Sequence, residues 1–423
     1  MLTAISGINW GDEGKGRMVD LLSSDYDVVV RYQGGNNAGH TVVNEKGKFI
    51  LNLLPSGILR EKVVNVMGNG MVVDLKHLVG EIERLRSAGI VITPENLKIS
   101  DRAVICMPYH VLQDCLEEDR LAGKKYGSTR RGISPVYSDK YAKKAIRMGD
   151  LLHLDIIEDR LAGIVEFKNL FLGKVYGAEE ITLEGVKDYL KTYGEKIAPF
   201  ICDTGLYLNN AQKEGKKIMF EAQLGALRDV DFGIYPYTSS SNSIAAYAPI
   251  GAGVPNLKLD LSIGIMKAYS SCVGEGPFVC EYFGEKAKEL RDAGGEYGAA
   301  TGRPRRVGPF DAVASRYGIR IQGADEIALT KLDVLSRYEE IEICYAYELD
   351  GKVIEDFPTP EVLDLCKPIC KTVKGWKTDI SKCKKKEDLP ENARAYLEEI
   401  ERLVGAKITY VSVGAEREEY IKM

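Results

Sequence analysis

Apolar and polar positions near the start of the chain follow two different periods. Residues 2–6 form a short apolar run that stops at Gly7, and residues 27–32 form a β-branched run. Between these runs, residues 18–22 place apolar side chains at the spacing of a helix face. The order of strand, loop, helix and strand predicts a parallel sheet connected by crossover helices.

Similar patterns occur along the rest of the chain. Short runs rich in β-branched and aromatic residues predict further strands, and the run nearest the C-terminus is expected to be the last strand. Residues 75–85 carry apolar side chains on one helical face and predict a flanking helix. The additional strand runs are residues 63–67, 217–221, 326–330, 341–346 and 408–412.

Two stretches differ from this alternation. Residues from about 105 to 215 are rich in helical segments and predict an insertion over the sheet. Residues from about 350 to 390 are rich in Lys, Asp and Pro and predict a surface elaboration. The expected fold is one elaborated α/β domain spanning residues 1–423, with a large, mostly parallel central sheet, flanking helices and small antiparallel additions.

Composition restricts the kinds of partner. The 423 residues carry a formal net charge of −5, which argues against electrostatic binding to a nucleic acid polymer or an anionic membrane. No basic leader with an apolar core and no run of about 18 apolar residues is evident, so neither secretion nor a membrane span is expected. The nine scattered cysteines are expected to be reduced thiols of a cytoplasmic protein.

The first candidate phosphate site is residues 7–17, Gly-Ile-Asn-Trp-Gly-Asp-Glu-Gly-Lys-Gly-Arg. Glycines let backbone N–H groups approach a phosphate, and a helix N-terminus favours its charge. The loop is not a Walker A motif, because Asn9 and Gly16 stand where that motif has Gly and Ser or Thr. Asp12 would repel a phosphate unless it binds Mg²⁺ or takes a proton. The alternative is a glycine-rich turn with an incidental exposed Asp.

A second glycine-rich loop, residues 33–41, follows the second strand and contains His40. Loops after parallel strands open on one edge of the sheet, so Asp12 and His40 are expected to face one substrate. His40 is a candidate general acid near neutral pH. The other histidines, His77, His110 and His153, are interpreted as solvated or core-edge residues.

Three further segments carry candidate binding residues. Residues 330–333, Thr-Lys-Leu-Asp, match a guanine-reading [NT]-K-x-D element, whose carboxylate accepts from guanine N1–H and the 2-amino group; a capped surface turn is the alternative. Residues 301–306 contain three arginines that suit carboxylate or phosphate recognition, or else form a solvated basic loop. Residues 127–135 contain glycines and Thr129 that suit another phosphate.

Taken in order, these motifs resemble those of the adenylosuccinate synthetase family. The likeness runs from Gly7 to about Gly414. It implies a sheet like that of P-loop NTPases without a Walker A motif, and a GTP-dependent ligase joining L-aspartate to IMP in AMP biosynthesis. The matching motifs are W-G-D-E-G-K-G, Q-G-G-x-N-A-G-H-T, R-G-I-x-P-x-Y, Y-P-Y followed by S-S-N, K-A-Y-x-x-x-V-G-x-G-P-F, T-G-R-P-R-R and T-K-L-D.

The resemblance also implies catalytic roles. Asp12 would remove N1–H of IMP and bind Mg²⁺ together with the Gly39 carbonyl, and the 6-oxygen would then attack the γ-phosphorus of GTP. His40 and Lys15 would stabilise the transferring phosphoryl group, and Gln223 is included among the catalytic residues. The amine of aspartate would displace phosphate from the 6-phosphoryl intermediate, giving adenylosuccinate, GDP and phosphate.

Binding positions follow from the same resemblance. Those expected for GTP are Gly11, Glu13, Gly14, Lys15, Gly16, Arg17, Gly39, His40, Thr41, Arg305, Lys331, Leu332, Asp333, Ser412, Val413 and Gly414. Those expected for IMP are Asp12, Glu13, Gly14, Lys15, Asn37, Ala38, Gly39, His40, Thr129, Lys143, Gln223, Ser239 and Arg303. Those expected for aspartate are Ala299, Ala300, Thr301, Gly302, Arg303 and Arg305.

Several positions depart from the family's pattern. The resemblance implies a homodimer in which an Arg of the neighbouring subunit reaches the IMP phosphate, and here Lys143 or Lys144 stands at that place. The Gln expected near the base is shifted by one residue to Gln223, Cys272 replaces an Arg, and Ala300 replaces a Thr.

Two alternative functions stay open at this point. One is a relative that performs the same chemistry on another 6-oxopurine nucleotide or with another amine. The other is a guanine-nucleotide-binding protein without ligase activity, which would need residues 330–333 but not the pair Asp12 and His40.

Overall fold

Strands occupy the positions at which apolar runs predicted them, and the chain forms further strands as well. The computed structural model describes residues 1–44, 47–298 and 302–423. The strands are β1 Leu2–Gly7, β2 Val28–Arg31, β3 His40–Asn44, β4 Gly47–Leu51, β5 Val64–Met67, β6 Val72–Val73, β7 Leu97–Ser100, β8 Val104–Ile105, β9 Ile201–Cys202, β10 Ile218–Glu221, β11 Leu261–Lys267, β12 Ser270–Cys272, β13 Arg306–Gly308, β14 Phe310–Asp311, β15 Glu326–Thr330, β16 Glu340–Leu349, β17 Lys352–Ile354, β18 Lys367–Lys374, β19 Ile408–Ser412 and β20 Tyr420–Lys422.

Helices follow many of these strands. The predicted helix over residues 75–85 is confirmed as α2. The helices are α1 Lys15–Leu22, α2 Leu75–Ser87, α3 Pro108–Arg120, α4 Ile133–Tyr141, α5 Glu158–Asn169, α6 Leu183–Ile197, α7 Thr204–Lys213, α8 Ala248–Ala252, α9 Gly284–Gly294, α10 Ala312–Gln322 and α11 Glu391–Val404. Within the described ranges, no helix has the length and apolar character needed to cross a membrane.

One large sheet forms the centre of the fold. Its order is β20-β19-β15-β11-β1-β10-β2-β5-β7-β9, and the neighbouring pairs are parallel apart from the antiparallel β19 and β20. The predicted mostly parallel sheet is confirmed. The expectation that residues 408–412 form the last strand is wrong, because the chain returns as β20 along the exposed edge of β19.

The central strands are buried on both faces. All residues of β1, β2 and β10 are buried. Ala4 and Phe220 belong to one apolar cluster, whereas their neighbours Ile5 and Met219 belong to another. Successive strand residues point to opposite faces, so each face has its own core. This explains why the apolar runs of these strands are nearly continuous.

The two unusual stretches have distinct structures. Helices α3 to α7 fill most of the first stretch, and β9 within it extends the edge of the large sheet beside β7. In the second stretch, β17 and β18 pair antiparallel with β16 in a small sheet that also contains β14. The division into one domain with a helical insertion stays a prediction.

A buried histidine ties three helices of the first stretch together. His110 Nε2 lies 2.8 Å from Asp139 Oδ2, and Lys168 Nζ lies 2.6 Å from the same oxygen. The interpretation of His110 as a solvated or core-edge residue is wrong, since its side chain is fully buried. Burial lowers the pKa of His110 to about 4, against the attraction of Asp139.

This histidine makes stability depend on pH. The unfolded chain protonates His110 near pH 6.5, whereas the folded chain resists protonation down to about pH 4. We therefore expect the free energy of unfolding to fall by about 1 kcal/mol between pH 7.5 and 5.5 through this residue. Urea unfolding of His110→Asn should show a shallower pH slope than unfolding of the control His153→Asn, an exposed site. Equal slopes would contradict the assignment.

Candidate active site

The loop between β1 and α1 has a backbone shape suited to binding anions. Gly11, Asp12 and Gly14 have φ values of 99°, 58° and 96°, and α1 begins at Lys15 directly after them. Left-handed residues before a helix N-terminus turn N–H groups toward one concave surface. Asp12 holds this conformation without being glycine, and such strained residues concentrate at functional sites.

Glu13 holds this loop from the inside. One carboxylate oxygen accepts from the N–H groups of Asn9, at 3.1 Å, and Gly11, at 2.8 Å. The other lies 2.5 Å from Lys15 Nζ, and both side chains are 2% exposed. Both residues were predicted to bind ligands. Their side chains face inward here, so Glu13 would meet a ligand through its backbone.

Glycines bring the loop close to its neighbours. A Cβ on Gly16 would lie 2.5 Å from the Cβ of His40, and a Cβ on Gly11 would lie 3.3 Å from the Cα of Leu224. The first distance is too short for any side chain, so Gly16 is required for the loop to reach His40. The candidate phosphate loop, residues 7–17, therefore meets both the His40 loop and the loop after β10.

His40 is oriented by a carboxylate that the sequence analysis missed. Its Nδ1 lies 2.5 Å from Glu221 Oε1, and Glu221 also accepts from the hydroxyl and the N–H of Ser56, at 2.6 and 2.8 Å. Burial lowers the pKa of His40, against the attraction of Glu221. Burial opposes ionisation of Glu221, but the charges of His40 and Arg31 hold its pKa below the ordinary value. We therefore assign a proton to Nδ1 that is donated to the Glu221 carboxylate.

Gln223 and Ser239 are connected by buried polar groups. Gln223 Nε2 donates to the carbonyl of Gly35 at 2.9 Å, and Gln33 Nε2 donates to the carbonyl of Gln223 at 2.8 Å. Gln33 Oε1 accepts from Ser241 Oγ at 2.8 Å, and Ser241 lies 3.3 Å from Ser239 Oγ. Gln223 Oε1 is buried without a hydrogen-bond partner in the described ranges. The amide thus fastens the loop after β10 to the His40 loop.

The His40 loop has its own supports. Asn37 Oδ1 accepts from the N–H of Gly35 at 3.2 Å, and Asn52 Nδ2 donates to the carbonyl of Ala38 at 2.9 Å. A Cβ on Gly39 would lie 3.1 Å from Ile50. These contacts shape the segment predicted to bind IMP, and Thr41 continues from it within β3.

Asp12 is paired with an arginine from far along the chain. Arg305 Nη2 lies 3.0 Å from Asp12 Oδ2, and Arg305 Nη1 lies 2.7 Å from Glu296 Oε2. Glu296, which the sequence analysis missed, also lies 2.7 Å from Lys267 Nζ. Burial opposes ionisation of Glu296, but the charges of Lys267 and Arg305 hold its pKa at about 2. This ionised network fixes Arg305 beside Asp12.

Lys331 and Asp333 follow β15 at the carboxyl edge of the sheet. Lys331 has a φ of 63°, and its Nζ donates to the carbonyl of Gly294 at 2.9 Å. Asp333 Oδ1 is buried and has no hydrogen-bond partner among the residues described. Burial raises the pKa of Asp333, against the charges of Lys331 and Arg17. A desolvated oxygen without a partner suits a ligand that brings its own donors.

Arg17 connects α1 to the loop after β19. Its guanidinium donates to Ser412 Oγ at 2.6 Å and to the carbonyl of Gly414. Its charge also acts on Asp333, so several predicted GTP residues do come together. Val413 and Leu332 are fully buried, so neither residue is exposed to a ligand in this structure.

Three further predicted binding residues, Thr129, Lys143 and Arg303, are exposed. Gly127 packs against Glu275, whose carboxylate lies 2.9 Å from Arg303 Nη2. The loop carrying Thr129 and the arginine segment are therefore neighbours. Lys143 is exposed just after α4, with a φ of 62°.

Only part of the predicted aspartate loop lies within the described residues. Ala299, Ala300 and Thr301 lie outside the described residues. Gly302, which follows them, is exposed and has a φ of 65°.

The family model of adenylosuccinate synthetase matches residues 4–421. The chain belongs to the adenylosuccinate synthetase family. Enzymes of this family are C–N ligases that use GTP to join L-aspartate to IMP. The resemblance seen in the sequence motifs is confirmed.

Whole-chain relatives support the assignment to adenylosuccinate synthetases. The chain is 45% identical over 421 residues to adenylosuccinate synthetase of Caldanaerobacter subterraneus subsp. tengcongensis, covering 99% of this chain and 98% of the relative. It is 45% identical over 416 residues to that of a Geobacillus species, covering 98% and 97%.

Solved structures give the same result for the fold. Fully ligated adenylosuccinate synthetase from Plasmodium falciparum matches with a TM-score of 0.92 at 35% identity, covering 100% of this chain and 99% of the other. Succinoaminodeoxyadenylate synthetase of cyanophage S-2L, bound to dGMP and dATP, matches with a TM-score of 0.60 at 19% identity, covering 100% and 95%. The second likeness shows the shared fold alone.

Proposed function

We propose that the loops around Asp12 and His40 carry out the family's ligation in this protein, giving adenylosuccinate, GDP and phosphate for AMP biosynthesis in the cytoplasm. The observation that carries this proposal is the close packing of Gly16 on His40. It sets the candidate acid against the phosphate loop that contains Asp12. Arg305, from the predicted aspartate loop, reaches the same carboxylate.

The first step makes the 6-oxygen of IMP a nucleophile. Asp12 accepts the N1 proton, and the 6-oxygen then attacks the γ-phosphorus of GTP while GDP leaves. Asp12 becomes available for this role when ligands take over its pairing with Arg305. The 6-phosphoryl group converts a poor leaving oxygen into phosphate, which the amine of aspartate displaces.

His40 acts on the transferring phosphoryl group. Glu221 receives the proton on Nδ1 and holds the ring in place, which leaves Nε2 for contact with GTP. A phosphate anion at Nε2 favours the doubly protonated ring, whose charge Glu221 balances. The imidazolium can then donate to the oxygen between the β- and γ-phosphorus as GDP departs.

Magnesium fits this arrangement. The described part of the chain holds no group of three or more His, Cys, Asp or Glu that could bind a metal ion by itself. Mg²⁺ commonly binds through one or two protein oxygens together with substrate phosphates and waters. Asp12 and the Gly39 carbonyl would supply those oxygens. When bound, the ion neutralises charge on the phosphates of GTP.

Guanine and aspartate are recognised by opposite charges. Asp333 would accept from N1–H and the 2-amino group of guanine, with the stem of Lys331 across the ring. Arg303 and Arg305 would bind the carboxylates of aspartate. Thr129, Asn37 and Ser239 are assigned to IMP. The other residues at the family's GTP and IMP positions are proposed to contact those nucleotides.

GTP binding should take up protons at His40. Burial lowers the pKa of the free ring, and a bound phosphate raises it, so affinity for GTP should decline as pH rises through the pKa of the bound state. Calorimetry at pH 7.5 in buffers of different ionisation enthalpy should show uptake of up to about one proton per GTP. The variant His40→Asn should lose this uptake, whereas His153→Asn should keep it. Unchanged uptake in His40→Asn would refute the assignment.

The site is proposed to be completed across a homodimer. Lys144 lies over the ring of Phe167, with its Nζ 5.1 Å from the ring centroid. Lys143, in contrast, is exposed and has a left-handed backbone conformation. Between the two lysines, Lys143 is therefore the one proposed to reach the IMP phosphate of the neighbouring subunit.

Mixed dimers test this arrangement. Lys143→Ala and Asp12→Asn should each be nearly inactive at low IMP concentration. Once mixed and allowed to exchange subunits, about half of the dimers carry one intact site, so activity should recover to about a quarter of the native value. The control is a mixture of Lys144→Ala with Asp12→Asn. Subunit exchange should leave its activity per Lys144→Ala subunit unchanged. No recovery would refute a contribution across the dimer.

The reaction itself is tested by absorbance near 280 nm. A rise that requires IMP, GTP, Mg²⁺ and aspartate together, with release of GDP and phosphate, is expected. No rise despite bound GTP would favour the relative that acts on another 6-oxopurine nucleotide or amine. GTP binding and slow hydrolysis unaffected by Asp12→Asn would favour a protein without ligase activity.

A further inference from the structure

Two cysteines face each other in the small sheet. In the antiparallel pairing of β16 and β18, Cys344 is directly opposite Cys370, and a bulge at Tyr345 follows. Neither cysteine forms a disulfide. No residue assigned to the ligation reaction belongs to the strands of this sheet.

The pairing places the two cysteines within disulfide range. Directly opposed residues of antiparallel strands have Cα atoms about 4.5–5.5 Å apart. Disulfides join Cα atoms about 4.4–6.8 Å apart. Opposed side chains also share one face of the sheet, and the two thiols interact with each other. The backbone therefore needs no large movement to let an S–S bond form.

The two thiols differ in access and acidity. Cys370 is exposed, and its interaction with the Cys344 thiol lowers its pKa, with help from the charge of Lys286. Cys344 is fully buried, and the interaction with Cys370 together with burial raises its pKa. Thiolates react faster than thiols with oxidants. An oxidant from solvent thus meets Cys370 first.

A third cysteine nearby is held by other partners. Cys280 is buried, and its Sγ donates to Asp311 Oδ2 at 3.3 Å. Tyr347 donates to the same oxygen at 2.6 Å. Asp311 lies opposite Cys344 on the other side of β16, in β14. Cys280 is therefore less free to turn toward Cys370 than Cys344 is.

We propose that Cys370 and Cys344 form a dithiol that reacts with peroxides and closes reversibly to an intramolecular disulfide. The Cys370 thiolate attacks one oxygen of hydrogen peroxide, the O–O bond breaks, and the departing hydroxide takes a proton to become water. Cys370 is then a sulfenic acid. The Cys344 sulfur attacks the Cys370 sulfur, the S–O bond breaks, and the second hydroxide leaves with the Cys344 proton as water. Two thiols and one peroxide give one disulfide and two waters.

Peptide mapping of the full-length protein tests the proposal. Trypsin does not cut before Pro368, so Cys366 and Cys370 fall on one peptide, residues 353–371, while Cys344 falls on residues 338–352. The Cys366→Ser variant leaves Cys370 as the single cysteine of its peptide. After stoichiometric hydrogen peroxide, the two peptides are expected to be joined with the loss of two hydrogens, and dithiothreitol should separate them again.

Matched variants decide which thiols are required. In the Cys366→Ser background, Cys370→Ser and Cys344→Ala should each abolish the link, whereas Cys383→Ser, another partly accessible cysteine, should leave it unchanged. The folding of each variant is checked by its ligase activity, which is expected to stay at the background level. A link from Cys370 to Cys280, no link, or accumulation of sulfinic acid on Cys370 with Cys344 still reduced would overturn the proposal.

Discussion

Replacing Asp12 by Asn should lower the turnover of IMP, GTP and aspartate by about 10³-fold. The change removes the carboxylate that is proposed to accept the N1 proton and to contribute an oxygen to Mg²⁺. It keeps the size of the side chain, and Asn tolerates the left-handed conformation that Asp12 adopts, with φ 58°. Steady-state rates from the absorbance change near 280 nm measure the effect.

Asp350→Asn is the matched control for this prediction. Asp350 also has a positive φ, 50°, but it lies in the turn between β16 and β17. The Asp350→Asn variant should turn over IMP, GTP and aspartate at the native rate. If Asp12→Asn kept more than about a tenth of native turnover while binding GTP normally, a general-base role for Asp12 would be excluded.

Replacing Asp333 by Asn should change which nucleotide drives the reaction. The substitution would remove one of the two charge-assisted hydrogen bonds that the Asp333 carboxylate is proposed to accept from guanine. The NH2 group of the new Asn would face the 2-amino group of guanine. We expect kcat/KM for GTP to fall by at least about 10²-fold. Xanthosine triphosphate has a 2-oxo group that the amide of Asn can donate to, so its kcat/KM should rise. Parallel assays with the two nucleotides measure the exchange.

Asp364→Asn provides the control for the nucleotide exchange. Asp333 and Asp364 both lie in short 3-10 helices, Leu332–Arg337 and Pro360–Leu365, but Asp364 is exposed in the second elaborated stretch. The Asp364→Asn variant should keep the native preference for GTP. A fall of the same size for both nucleotides in Asp333→Asn would point to damage of the fold rather than to base recognition.

The sheet could be predicted where its strands are apolar on both faces. The runs that became β2, β5 and β10 contain little besides apolar residues. Strand β11, Leu-Ser-Ile-Gly-Ile-Met-Lys, was missed because Ser and Gly interrupt its run. The edge strand β9 has only two residues, too few to show a period in the sequence.

The site was predictable only where one motif carries the chemistry. Asp12 and His40 stand in glycine-rich loops after strands, which is a local signal. Glu221 is 181 residues from the His40 that it orients, and its one sign in the sequence is a charge at the end of an apolar strand. Glu296 stands in no motif that indicated a role, because its importance comes from pairing with Lys267 and Arg305. Such partners are decided by tertiary packing.

The contact between Gly16 and His40 distinguishes this loop from a Walker A loop. A Walker A loop needs a hydroxyl-bearing residue at this position, yet even the first carbon of a side chain there would collide with the histidine, 2.5 Å away. A hydroxyl-bearing residue at position 16 and His40 in its present position therefore exclude each other. A hydroxyl-bearing side chain at position 16 would have to displace His40, the candidate acid.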